Sequence, residues 1–366
     1  MNPFKFGSIV EGEYFTDRDK EIKELISDME SGQNVVLISR RRYGKSSMVS
    51  KAIKSIAARS LWFDLELVSD EIDLANAYVR KALSLSAFEK LKNYLSRLKI
   101  QPRLEYKPLT GDVNVSFSPA VSDKGTIISE SLELPEIIAK EQKKRIVVVF
   151  DEFQEVRRIS KDLEKKMRGV LQSHQNVSYI FIGSQESMIR DIFQQKKNPF
   201  YKFGRQKVLQ PIARKEMETF VIKRFASEGI NASEIINPLL LFTGCHPYYT
   251  QQICHELYIL QGRGKLKEGL IGDAIDNITA EHDADYKRWW NSLDNTERKI
   301  VIGISEGNEN VTARHFFNKY GIKTASTAGS AMSRLINKGI LVVNEDNKPQ
   351  IEDPFWKEWI LSRRKQ

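Results

Sequence analysis

At 366 residues the chain is too long for one ordinary domain, so two or three are expected. Its formal charge of +9 suits a polyanion partner and equally a plain basic surface, so bulk charge alone decides little. No apolar run approaches the ~20 residues of a membrane-spanning helix. No secretory leader is visible, and two cysteines, Cys245 and Cys254, argue against a disulfide framework or a four-ligand metal site. A cytoplasmic protein without membrane insertion is the expectation.

Residues 1–20 form a leading segment. Behind Phe15-Thr16-Asp17-Arg18, the spacing of Ile22, Leu25, Ile26 and Met29 predicts a helix, with Thr16 placed to cap it. Val35-Val36-Leu37-Ile38 then reads as a buried strand. It runs into Ser39-Arg40-Arg41-Arg42-Tyr43-Gly44-Lys45-Ser46, which fits G-x-x-x-x-G-K-[ST] except at its first position. A helix-like stretch, Ser47–Ile53, follows. A strand, a loop and a helix start in that order bring backbone N–H groups and a helix N-terminus to one phosphate chain. Arg42, Tyr43, Gly44, Lys45, Ser46 and Ser47 are the expected nucleotide cradle. Lys45 would reach the terminal phosphates, and the Ser46 hydroxyl would hold Mg²⁺. Ser39 stands where glycine is usual and would be strained by any positive φ.

Leu61–Glu66 reads as a second strand, and 72–98 as helical. Residues 99–124 interrupt this pattern: a turn-rich stretch at 106–112 is followed by Val113, Val115 and Phe117 alternating with polar residues. The reading is a β-hairpin or loop inserted into the sheet domain, serving either as an interaction arm or as decoration. Arg145–Phe150 and Ser178–Ser184 are further continuous apolar strands, and Lys207-Val208-Leu209 an edge strand. Strands alternating with helices make 1–212 an α/β domain, a P-loop NTPase with a doubly wound parallel sheet.

Asp151-Glu152 ends an apolar strand, where α/β sheets bind ligands. Asp151 is the expected Mg²⁺-shell residue and Glu152 the general base that activates water. Ser184, at the end of the next strand, could touch the γ-phosphate or the water; its neighbour Gln185 is an alternative. Arg205 could reach a phosphate in cis, or in trans from a second copy, or be a solvated cation.

From Ala213 the strands stop. Residues 214–228, 232–242, 247–260 and 270–282 read as helices of a lid (213–286), the second of them threatened by Pro238. Three helices at 294–306, 312–320 and 324–338, then a hairpin over 340–351, make 287–366 a winged helix-turn-helix. That stretch carries 14 Lys or Arg against 9 Asp or Glu. Its third helix shows Ser326, Thr327, Ser330, Ser333 and Arg334, a face suited to DNA.

These motifs together resemble the STAND-type P-loop ATPases of the AAA+ group, in particular an archaeal and bacterial ATPase family whose loop reads roughly G-P-R-R-x-G-K-[ST]. Arg41-Arg42-Tyr43-Gly44-Lys45-Ser46 matches; Ser39 and Arg40 depart. Phe15-Thr16-Asp17-Arg18 is similar to the family's opening F-x-G-R, which implies adenine contact by Phe15 and Arg18. Phe150–Gln154 is similar to its D-E-[FI]-Q strand end. Gly244-Cys245-His246-Pro247 resembles its G-G-H-P lid motif, which implies that His246 and Pro247 sit near the base. The resemblance implies an ATP- and Mg²⁺-dependent hydrolytic switch whose lid and winged helix respond to nucleotide state. Two other readings stay open: a DNA-binding protein controlled by ATP, and a nucleotide-holding scaffold with little turnover. Candidate partners besides nucleotide are a second copy of the chain, DNA through the winged helix, and a protein the sequence does not name.

Overall fold

The computed structural model describes residues 2–16, 18–82, 84–85, 102–107, 112–117, 124–261, 266–344 and 348–365, with backbone only for 102–107, 112–117 and 365. The expected helix beyond Ala82 falls mostly outside these residues, as do the turn at 108–111, most of the wing turn and Asp17. The chain divides into two compact units. One is Arg18–Gln210; the other joins the segment ahead of Arg18 to Pro211–Gln366.

The first unit is built on β1 (Val35–Ile38), β2 (Arg59–Asp64), β5 (Ile146–Asp151), β6 (Val177–Gly183) and β7 (Arg205–Val208). They form one parallel sheet in the order β2-β5-β6-β1-β7. Every residue of β1 and β6 is buried, on both alternations of the pleat, so both faces are covered. That is why these strands read as nearly continuous apolar runs rather than alternating ones, with Ser178 in β6 buried and bonded to the Met29 carbonyl. Phe63, Phe150 and Phe181 lie in register on adjacent strands, their rings stacked 5.7 and 5.6 Å apart. This aromatic row lies just beneath the carboxyl end of β5, where Asp151 and Glu152 emerge. The interrupting segment forms β3 (Pro102–Lys107) and β4 (Asp112–Phe117), an antiparallel pair outside the main sheet, as the alternation predicts.

Two expectations in this unit need correcting. The first helix, Asp19–Ser31, is not capped by Thr16; Arg18 holds the cap position with left-handed backbone, φ 78°. The region ahead of it also groups with the other unit instead of the sheet.

The second unit is helical. The side chain of Phe4 is buried, its ring 4.6 Å from that of Phe225, and Arg224 Nε donates to the Pro3 carbonyl at 2.7 Å. Lid helices Arg214–Ala226, Ile236–Thr243, Pro247–Leu260 and Leu270–Glu281 share one apolar core with winged-helix residues, so 213–286 and 287–366 form one body. Pro238 does not break its helix, because it falls in the first turn, where N–H groups lack helical acceptors anyway. Helix Asn295–Ser305 begins with a capping box made by Asp294 and Glu297. Arg314–Tyr320, Ala325–Asn337 and the antiparallel pair β8 (Leu341–Val343) and β9 (Pro349–Ile351) complete the winged helix. Helices Asp283–Asn291 and Pro354–Lys365 were not anticipated.

Candidate nucleotide site

The carboxyl ends of β1, β2, β5 and β6 bring the site residues of the first unit together. The loop after β1 closes on its own lysine. Lys45 Nζ donates to Ser39 O at 3.2 Å, Ser39 Oγ at 3.1 Å and Arg40 O at 2.8 Å. All three acceptors are neutral, so the buried ammonium carries no bound counter-charge. Burial pushes its pKa down to about 8, against the upward pull of Glu152 and Asp151. A phosphate would supply what this cation lacks.

Ser39 is not strained. The positive φ values of the loop are at Arg42 (62°) and Gly44 (80°), and Ser39 is not among such residues. The hydroxyl at the departing position receives Lys45 and donates to Arg40 O at 3.0 Å. Gly44 opens helix Lys45–Ser55, and no atom lies within 4 Å of where a Cβ would stand on it. That leaves room for a ligand over the helix N-terminus. Tyr43 and Ser47 are buried, whereas Arg41 and Arg42 are exposed. Arg18 is buried, pairs with Glu21 at 3.1 Å, and donates to the Tyr43 carbonyl at 3.5 Å. Within its unit, Arg18 therefore braces the loop.

Ser46 Oγ donates to Asp151 Oδ2 at 2.9 Å. Two residues 105 positions apart thus meet where a Mg²⁺ ion would take one hydroxyl and one carboxylate. Burial raises the Asp151 pKa; the Ser46 hydrogen bond opposes it, and the charges of Glu152 and Asp64 add to it. Among the described residues no three His, Cys, Asp or Glu could hold a metal. Mg²⁺ does not need such a cage, since it keeps waters and phosphate oxygens around one or two protein ligands. The donor set fits that ion.

Glu152 sits at φ 49°, a conformation that turns its side chain off the strand line. Its Oε2 accepts from Ser184 Oγ at 2.8 Å, from Ser184 N at 3.3 Å and from Gln154 Nε2 at 2.5 Å. Ser184 is thus spent on Glu152. Sequence reasoning missed Gln154 and Asp64, although both carry a signal: Gln154 closes the D-E-F-Q stretch, and Asp64 ends the strand paired with β5.

Arg205 is the clearest correction. It opens β7 opposite Val35, at the amino end of the sheet, and pairs with Asp28 at 3.0 Å. The phosphate loop leaves the other end of β1, about 10 Å along the strand. The cis reading of Arg205 therefore fails.

In the second unit, His246 caps helix Pro247–Leu260, its Nδ1 accepting from Tyr248 N at 3.2 Å. Pro247 is the first residue of that helix, and Phe15 is half-buried behind the turn Gly12–Tyr14. Tyr249 Oη donates to Glu352 Oε2 at 2.5 Å, and His246 Nε2 lies 3.9 Å from Glu352 Oε1, linking lid to wing.

Known proteins resemble this arrangement. A family described as an ATPase domain predominantly from Archaea matches residues 15–253, and one described as a probable winged helix domain matches 284–362. No curated protein matches the chain. Among solved structures, the Walker-type ATPase paby2304 of Pyrococcus abyssi is similar over 98% of this chain and 99% of its own, at 17% identity and a TM-score of 0.71. The ORC2 protein of Aeropyrum pernix in its ADPNP-ADP complexes covers 99% of both chains at 13% identity and a TM-score of 0.57. The ORC1 protein of the same organism, in complex with DNA, covers 96% of this chain and 94% of its own at 12% identity and a TM-score of 0.50. Likeness at such identities shows the fold, while the matched sequence family covers most of the chain. This protein belongs to the family of ATPase domains predominantly from Archaea and carries a C-terminal winged helix domain.

Proposed function

We propose that the chain binds ATP with Mg²⁺ and hydrolyses it, as a switch of the STAND or AAA+ type. The observation that carries this is the meeting of Ser46 and Asp151, with Glu152 tethered beside them. Lys45 and the N–H groups at the start of Lys45–Ser55 would bind the β- and γ-phosphates. Ser46 and Asp151 would hold Mg²⁺, which when bound offsets charge on the phosphate oxygens. Glu152 would take the proton of the attacking water. Lid and winged helix share a core and the Tyr249–Glu352 bond, which supports their moving as one body when nucleotide changes. The case for a scaffold with little turnover weakens, because it rested on strain at Ser39.

The test is phosphate release by the full chain with Mg-ATP. Lys45→Ala should lose nucleotide binding, and Glu152→Gln should keep ATP without releasing phosphate. Turnover by Glu152→Gln at the parent rate would end the assignment of the base. A second reading, DNA contact, is favoured by the exposed hydroxyls of helix Ala325–Asn337 and by the DNA complex of the ORC1 relative. It predicts duplex binding that weakens steeply with salt. Arg205, exposed on the edge strand, remains a candidate contact to a second copy.

A further inference from the structure

Gln154 is the buried polar group at this site with no task in the proposed chemistry. It is 2% exposed and lies in the short turn Phe153–Glu155 that follows the Asp151-Glu152 pair. Its Nε2 donates to Glu152 Oε2. A carboxylate oxygen can only accept, so the orientation of the amide is fixed by chemistry: nitrogen toward Glu152, Oε1 away from it. In that direction Oε1 is buried and, among the described residues, accepts no hydrogen bond. An acceptor left buried and unpaired costs stability, so a glutamine kept only for packing has no reason to stand here. Gly183 makes room for it. A Cβ on Gly183 would fall 2.7 Å from Gln154 Oε1 and 2.1 Å from Ile189 Cγ1.

The pattern around Glu152 says what this arrangement achieves. Ser184 N, Ser184 Oγ and Gln154 Nε2 all converge on Oε2, and none of the described residues donates to Oε1. One oxygen is anchored from two elements, the end of β6 and the turn after β5; the other is left open. We infer that Gln154 is a positioning residue: with Ser184 it locks Oε2 and so makes Oε1 the atom that receives the proton of the attacking water.

This rests on the hydrolysis reading above. In that step the water oxygen forms a bond to the γ-phosphorus. The bond from that phosphorus to the bridging oxygen breaks, its electron pair leaves with ADP, and the water proton goes to Oε1. A carboxylate free to rotate would offer either oxygen at many angles. Held by one oxygen, it offers the other along one direction, which is where positioned proton transfer gains its rate.

The experiment uses the full chain, Mg-ATP and two substitutions. Gln154→Met keeps the length and removes the donor; Gln154→Glu keeps the shape and turns the donor into an acceptor. Both should lower kcat about ten- to a hundredfold while leaving KM and ATP retention at parent values. Gln154→Glu should be the slower, because like charges then face each other. The thermal midpoint of Gln154→Met should equal or exceed the parent's, since the orphaned acceptor is gone. Parent-level kcat in both variants overturns the inference. So does a kcat loss that comes with a lowered midpoint in Gln154→Met, which would mark a packing role. Glu152→Gln, run alongside, separates the two failures. If it is inactive while Gln154→Met is fully active, only the role of Gln154 falls; if it turns over normally, the hydrolysis reading falls with it.

Discussion

Glu152 in the sheet unit and Glu297 in the winged helix are both carboxylates met by three donors, and they differ in what is left over. Glu152 takes all three on Oε2 and keeps Oε1 open. Glu297 is 1% exposed and spends both oxygens: Oε1 on Arg334 Nε at 3.1 Å, Oε2 on Asp294 N at 3.0 Å and Lys338 Nζ at 2.7 Å. The cations differ in the same way. Lys45 is held by neutral oxygens, whereas Arg334 and Lys338 are held by carboxylates. A buried charge with only neutral partners keeps most of its field for a ligand; a paired charge has already used it. The difference bears directly on the DNA reading, because Arg334, the one cation on the candidate recognition face, is tied to Asp294 and Glu297.

The strongest way to break this comparison is to exchange the two outcomes. Glu152→Gln should lower kcat by about 10²–10⁴-fold, the range for loss of a general base, with the unfolding transition unmoved. Glu297→Gln should cost about 2–3 kcal/mol, since it disrupts a buried pair whose cations can partly return to water, and leave turnover of the folded fraction intact. Urea unfolding followed by tryptophan fluorescence reads the second effect. Trp289, Trp290, Trp356 and Trp359, four of the five tryptophans, lie in that unit. A stability loss in Glu152→Gln or an activity loss in Glu297→Gln would erase the distinction.

Next in size is the pH dependence of ATP binding. Lys45 releases its proton near 8 in the folded protein, against 10.5 for an ordinary lysine. The unfolded chain therefore holds more protons between those values, and stability rises with pH through that window. ATP acts in the opposite sense: it favours the cation, so its binding takes up a proton above pH 8. Affinity should be flat below about pH 8 and fall by up to about tenfold per unit above it. Lys45→Arg, which stays charged, should bind with no such slope. A flat profile for the parent protein from pH 7 to 9.5 by titration calorimetry would show that Lys45 does not lose its proton in that window.

Acid should separate the units as well. Hydrogen bonds from Lys287, Trp359 and Arg363 hold the Asp283 carboxyl down at about 2, and Asp294 and Glu306 are also lowered. Lowered carboxylates contribute stability that is present above their unfolded values, 3.8 for Asp283, and is lost as pH falls toward the folded ones. The sheet unit has fewer lowered carboxylates, Glu24 and Asp191, and its Asp151 is raised, so protonation of Asp151 removes a burial penalty and offsets part of that unit's loss. The tryptophan signal of the winged-helix unit should therefore weaken first as pH drops from 5 to 3, and Asp283→Asn should flatten that response.

The parallel sheet was legible because strands covered on both faces must be largely apolar, and 35–38, 146–150 and 179–182 are. The loop and Asp151-Glu152 were legible because phosphate chemistry needs those residue types at strand ends. What escaped was set by partners far away in sequence. Nothing local marks Arg205 as the partner of Asp28, or Ser184 as the partner of Glu152 rather than of a phosphate. Helix Pro354–Lys365 did carry a signal: Phe355, Trp356, Trp359 and Ile360, all buried, recur at helical spacing. Pro238 misled because a proline is harmful inside a helix and harmless in its first turn.

The smallest effect tests whether the sheet unit stores strain for its ligand, as its open charges suggest. Arg42 holds φ 62° at the exposed tip of the loop, where a side chain costs about 1 kcal/mol relative to glycine. Arg42→Gly should relieve that cost, while the freer unfolded chain takes back about half of it. The net gain expected is therefore about 0.5 kcal/mol for the protein without nucleotide. ATP must then order a more pliable loop, so its affinity should drop severalfold although the fold is slightly firmer. Gly44→Ala runs the other way. Its Cβ meets nothing within 4 Å, so any destabilisation comes from φ 80° alone. If Arg42→Gly instead leaves both stability and affinity at parent values, the left-handed turn at Arg42 is incidental to nucleotide binding.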